Sequence, residues 1–268
     1  MSMLAAELQR LLVQRDLRIL FQPIVNTTLG AELGFEALVR GPEGSRLHDA
    51  YTLFTAAQEN SLLLPLEMLC RELAIREFVR LGLPGKLFLN ISPMALLDRQ
   101  HHSGQTIRLL EHYGLDSRRV VIELSERYPM HDIGLLTLAT RHYASMGLQI
   151  AMDDLGTGYS GLKLWSELRP DFVKIDRHFV AGVHQDRIKR EFVRFIGGIA
   201  RRIGCQVIGE GVETAEEYDA LTNLGITNLQ GYYLGQPQAN PALLPAASLQ
   251  PSRRRKLLTL NPRYAEPA

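Results

Sequence analysis

Short apolar runs alternate with longer segments of helical period along the chain. RILFQPIV (18–25), GFEALVR (34–40), KLFLNIS (86–92), RVVIELSE (119–126), LQIAMDD (148–154), DFVKID (171–176), QVIGEG (206–211) and NLQGYYLG (228–235) predict strands. Between them the period changes. In DRIKREFVRFIGGIARRIG, Ile188, Phe192, Ile196, Ile199 and Ile203 recur every three or four residues, an apolar stripe that predicts an amphipathic helix. SGQTIRLLEHYG predicts a second helix, with Ser103 as N-cap and Gly114 as stop, and ETAEEYDALTNLG a third that ends at Gly225.

Strands separated by helices imply parallel pairing through right-handed crossovers. Eight of them in 268 residues fit an α/β barrel of the (β/α)₈ kind, with an open doubly wound sheet as the runner-up. The link VNTTLGAE between the first two runs is too short for a crossover helix, so the first strand is expected to run antiparallel to the second. The barrel is assigned to residues 1–250, including a last short helix after 236, and 251–268 to a basic tail or linker carrying SRRRK.

Composition narrows the function. The 30 basic residues balance 29 acidic ones, which argues against a general DNA, RNA or anionic-membrane binder. Cys70 and Cys205 make neither a disulfide framework nor a cysteine zinc site. No signal peptide and no apolar run long enough for a membrane span stands out, and cytoplasmic placement is the expectation.

The candidate chemistry lies at the strand ends. Glu36, Asn90, Glu123, Asp153, Asp154, Lys174, Glu210, Glu213 and Gln230 fall within or just after apolar runs, where a bare charge is costly. One such acid would read as a helix cap or surface group. In a barrel, however, these ends converge on one face. So many carboxylates together repel unless divalent cations stand among them, and an oxygen-only donor set suits Mg²⁺ or Mn²⁺. Asp153 and Asp154 are adjacent, so both reach such a site only where strand alternation breaks. The loop GTGYS that follows matches neither the dinucleotide fingerprint nor the P-loop.

FQPIV, FEALVRG, FLNIS, IELSE, MDDLGTGYSGL, VKID, IGEGVET and LQGYYLGQP, in this order, resemble the EAL family of cyclic di-GMP phosphodiesterases over about residues 8–245. The resemblance implies a modified TIM barrel with an antiparallel first strand, and hydrolysis of cyclic di-(3′→5′)-GMP to linear pGpG with two Mg²⁺ or Mn²⁺ ions. It implies Glu36, Asn90, Glu123, Asp153 and Asp154 as metal ligands. It makes Lys174 and Glu210 catalytic and Glu213 a supporting position, with Glu126 anchoring the loop from 153. Gln22, Arg40, Asp176 and Gln230 would meet substrate. A homodimer, and regulation by a sensor or cyclase domain, are the implied partners. Leu155, Gly161 and Gln236 depart from the family's usual Phe, Ser and Lys. The alternative is a non-catalytic cyclic di-GMP receptor acting through a protein partner.

Overall fold

The computed structural model describes residues 3–92, 104–125, 133–156 and 161–243. Strands β1 (Arg18–Asn26), β2 (Ala31–Arg40), β3 (Lys86–Asn90), β4 (Val120–Ser125), β5 (Gln149–Leu155), β6 (Phe172–Ile175), β7 (Gln206–Gly209) and β8 (Asn228–Gln230) close into one barrel in chain order. The helices are α1 (Met3–Gln14), α2 (Ala50–Glu59), α3 (Leu63–Arg80), α4 (Gly104–Tyr113), α5 (Ile133–Ser145), α6 (Gly161–Leu168), α7 (Arg177–Val180), α8 (Arg187–Ile203) and α9 (Ala215–Asn223). This is a modified (β/α)₈ barrel.

β1 runs antiparallel to both β2 and β8, while all other neighbours are parallel. Its short link to β2 is an Asn turn. The Asn26 side-chain oxygen accepts from Thr28 N and Leu29 N, and Gly30 closes the turn at φ 65°. Reversal puts Gln22 opposite Glu36 and Ile24 opposite Gln230.

Inside the barrel, Ile24, Phe88, Val121, Ala151, Phe172 and Ile208 form a buried apolar cluster of their own. Strand side chains repeat with period two. Two residues along from that cluster come Gln22, Asn90, Glu123, Asp153, Lys174 and Glu210. The apolar plug therefore carries the polar positions as the next layer toward the mouth. The opposite strand faces, including Leu87, Ile122, Ile150, Met152 and Val173, join the larger core between barrel and helices.

Several local expectations are met in detail. Gly114 and Gly225 follow α4 and α9 in left-handed conformation, and α9 opens with a capping box of Thr214 and Glu217. Ser103 lies outside the described residues.

Two expectations are corrected. β8 stops at Gln230, because Gly231 passes so close to Val212 that a Cβ would sit 2.2 Å from Val212 N and O, and the chain turns there. Residues 236–243 hold no helix; Gln238 instead pairs with Phe21 of β1. The rest of that segment, with the expected tail, is outside the described residues. α8 forms where expected, and it buries Val193, Ile196, Gly197 and Ala200. Of its apolar stripe, Ile188, Phe192 and Ile203 are 69%, 49% and 57% exposed.

Candidate active site in the barrel mouth

Lys174 is the centre of the polar layer. It is fully buried, and its Nζ lies 2.7 Å from Glu210 Oε1, 2.8 Å from Glu123 Oε1, 3.2 Å from Glu36 Oε2 and 3.6 Å from Asp153 Oδ1. Burial alone would depress the ammonium, but Asp153, Glu123, Glu210 and Glu36 together hold its pKa well above the ordinary value.

Its carboxylate neighbours separate in character. Asn90 Nδ2 donates to Glu36 Oε1 at 2.7 Å, and Gln230 Nε2 donates to Glu36 Oε2 at 2.7 Å. Burial raises the Glu36 carboxyl, but Lys174 and these hydrogen bonds outweigh it and leave the pKa lowered. For Glu123, burial and the Glu36 charge dominate over Lys174 and push the carboxyl well up. Burial likewise raises Glu210 against the pull of Lys174, with Asp153 and Glu36 adding to the rise.

At β5 the alternation breaks as required. The register against β6 shifts between Met152 and Leu155, and Asp154 sits at φ 58°. A non-glycine residue in that region costs on the order of 1–3 kcal/mol. The bulge falls inside the strand rather than in the loop after it, and Asp154 N donates to Asp153 Oδ1 at 2.9 Å. It lets adjacent aspartates serve one site: Asp153, Asp154 and Glu210 each offer an oxygen within 4.8 Å of one another.

The residues fit a hard divalent cation. The donors are oxygens only, and neither oxygen of fully buried Glu123 has a well-directed hydrogen bond, although Lys174 lies beside Oε1. Asn90, Glu123, Asp153 and Asp154 border a cleft of about 720 Å³ that extends past Val39 to Tyr51 and Phe54 of α2.

Not every expected site residue joins the cluster. Gln22 does, accepting from Gln230 Nε2 at 3.2 Å while its own amide donates to Gly235 O. Glu213 stands apart in a half-exposed ion pair with Arg177 at 2.5 Å. Arg40 donates to its neighbour's carbonyl, Val39 O, at 2.7 Å. Asp176 caps α7 by accepting from His178 N at 2.7 Å. Glu126 and residues 157–160 are outside the described residues.

The sequence reading passed over Glu67 and Arg71 of α3. Four residues apart, they read as a surface ion pair. Both are buried, and both border the same cleft. It also missed the clamp at Glu217, whose carboxylate accepts from Gly182 N, Glu213 N and Thr214 N. The capping-box spacing was its only visible signal.

Fold and site define an α/β barrel with an acidic, oxygen-only mouth built around a buried lysine. The EAL domain model matches residues 5–237, and the chain belongs to this family. It is similar to a standalone EAL protein from Vibrio cholerae O395 solved with c-di-GMP bound. That match has 30% identity and a TM-score of 0.77, covering 85% of this chain and 95% of that one. BlrP1 from Klebsiella pneumoniae, solved with manganese and cyclic di-GMP, matches at 27% identity and TM-score 0.76, over 83% of this chain and 56% of that one. The bifunctional diguanylate cyclase/cyclic di-GMP phosphodiesterase MucR of Pseudomonas aeruginosa is 30% identical over 89% of this chain and 35% of its own length. The chain spans 28–36% of the length of the first curated relatives it matches.

Proposed function

We propose that the chain hydrolyses one phosphodiester bond of cyclic di-(3′→5′)-GMP to give linear pGpG, with two Mg²⁺ or Mn²⁺ ions bound in the barrel mouth. The observation that carries this reading is the oxygen-only layer around Lys174, with Asp153, Asp154 and Glu210 converging within 4.8 Å. The named ligands of the similar solved proteins support the choice of nucleotide and metal.

Glu36, Asn90, Glu123 and Asp153 would hold one ion, and Asp153, Asp154 and Glu210 the other. When bound, the ions would supply Lewis acidity toward water and the phosphoryl oxygens. The chain's own groups do the rest. Lys174 donates hydrogen bonds to the attacking water and to a phosphoryl oxygen as charge grows there. Glu210, whose Oε1 lies 2.7 Å from Lys174 Nζ, positions the attacking water or takes its proton. A P–O bond forms to water, the bond to one 3′ oxygen breaks, and that oxygen takes a proton. Gln22 and Gln230 orient the sugar-phosphate ring. Arg40 exchanges its Val39 carbonyl for a phosphate, where its fork makes charge-assisted bonds. Asp176 meets substrate at the rim, Glu213 supports the loop after β7, and Glu126 anchors the loop from 153.

The proposal includes a homodimer through α8. Ile188, Phe192, Phe195 and Ile203 are 69%, 49%, 54% and 57% exposed, next to Leu162 of α6 at 58%. Ile199 and Ile203 form a groove of about 570 Å³ with Leu162 and Trp165. An apolar face of this kind marks an interaction surface. It also has a route to the site: Phe179 packs against Phe192 at 5.5 Å, and its ring leaves no room for a Cβ at Gly156, two residues after Asp154. Cytoplasmic placement is proposed with the nucleotide substrate; no helix among the described residues is long and apolar enough to cross a membrane. Regulation by an attached sensor or cyclase domain is proposed from the paired activities in MucR's name.

The test incubates purified protein and cyclic di-GMP with Mn²⁺, with Mg²⁺ and with EDTA. Linear product in the metal arms alone supports the reading. Nucleotide that binds but stays cyclic in every arm points to the receptor alternative.

A further inference from the structure

Beside Asn90 on the cleft lies a buried polar group, centred on Glu67 and Arg71, that the proposed chemistry does not use. Glu67 and Arg71 of α3 are 5% and 3% exposed. Arg71 Nη1 donates to Thr106 Oγ1 of α4 at 2.7 Å, and the guanidinium also meets Tyr143 of α5. Burying two such charges costs several kcal/mol each before they are paired, and a well-packed apolar pair is often as stable. The network therefore needs a reason other than holding helices together.

That reason lies at the exit of β3. Asn90 makes the strand's last ladder pair, with Glu123. Ile91 N still reaches Glu123 O at 3.0 Å. The next amide, Ser92 N, points instead to Glu67 Oε2 at 3.4 Å, and the Ser92 side chain also bonds that carboxylate. Glu67 thus receives the chain where the barrel stops supporting it, two residues past Asn90. On its other side, the Asn90 side-chain N–H donates a hydrogen bond to Glu36, which leaves the carboxamide oxygen to face a cation.

We infer that Glu67, steadied by Arg71, is a positioning residue for the metal site: it fixes the chain at Ser92 so that the Asn90 carboxamide oxygen stays in place to bind a divalent cation. This rests on the metal reading above. Partners bonded directly to metal ligands change affinity by about 10–100-fold when removed, and Glu67, acting through Ser92, is placed at the lower end of that range.

The test is Mn²⁺ alone, titrated without nucleotide and followed by the EPR signal of the free ion, with melting temperatures measured in parallel. Glu67→Ala is the direct variant but removes the carboxylate charge that acts on buried Arg71. The double variant Glu67→Leu with Arg71→Met fills the space with apolar groups and removes the carboxylate and the guanidinium together. Its expected result is a melting temperature close to wild type with Mn²⁺ bound about tenfold more weakly. Glu67→Gln keeps an acceptor for Ser92 and is expected to restore binding to within about threefold of wild type. A folded double variant with wild-type Mn²⁺ affinity overturns the inference and leaves the metal site standing. Wild-type protein that takes up no Mn²⁺ overturns both.

Discussion

Replacing Lys174 by methionine removes a positive charge that faces four carboxylates and nearly preserves side-chain length. The four Nζ–oxygen separations run from 2.7 to 3.6 Å. At an effective dielectric near 20, unit charges at these distances attract by roughly 5–6 kcal/mol each before desolvation. Desolvation consumes most of that, and removing one partner from a buried ionic set costs about 3–5 kcal/mol in practice. At roughly 2–4 °C per kcal/mol for a chain of this size, metal-free Lys174→Met should melt about 6–20 °C below wild type near pH 8. The gap should narrow near pH 5, where Glu123 and Glu210, already raised, take up protons in place of the lost charge. A divalent cation supplies the missing positive charge, so Mn²⁺ should raise the variant's melting temperature more than wild type's. Turnover should fall roughly 10²–10³-fold, the scale of losing a transition-state donor. Differential scanning fluorimetry across pH and Mn²⁺ concentration, with a nucleotide turnover assay, covers all four outcomes. A variant that melts within 2 °C of wild type in EDTA and gains no more from Mn²⁺ would refute this account of the lysine.

Metal-linked stability should depend on pH with a definite sign. Glu123 and Glu210 hold protons more tightly in the folded chain than their ordinary value of 4.5 allows, so metal-free stability loses their contribution as pH rises from 4.5 through the raised values. Mn²⁺ binds the ionised carboxylates, so its stabilisation should be greater at pH 8.5 than at 5.5; equal shifts would contradict the assignment. Phe195→Glu should break the α8 interface, halving the mass seen by light scattering, while an unchanged mass would remove that face from the dimer. Gly231→Ala should cost about 1–3 kcal/mol by driving a Cβ into Val212, measurable by urea unfolding; no loss would show that the β8 turn can relax.

The sequence made the barrel legible because both its periods were clean and its first link was too short for a helix. It made the acidic layer legible because β3 to β7 each carry a polar residue two positions past an apolar one. Side-chain destinations were less visible. Glu213 was read into the mouth, and Arg40 and Asp176 as substrate positions from the resemblance; their partners Arg177, Val39 O and His178 N are contacts that strand position does not reveal. Glu67 and Arg71 were hidden by the opposite error, since charges four apart on a helix suggest solvent. The α8 stripe was read correctly as helix and gave no sign of facing outward, because period alone does not distinguish a buried face from an exposed one.

The central claim is metal-dependent cleavage at this mouth. Its most direct measurement is product analysis by liquid chromatography and mass spectrometry after incubating wild type and Glu36→Ala with cyclic di-GMP and Mn²⁺. The account predicts linear pGpG from wild type, none in EDTA, and almost none from Glu36→Ala, which lacks a metal ligand. Cyclic di-GMP recovered intact from folded, Mn²⁺-loaded wild type, or equal product from Glu36→Ala, would contradict it.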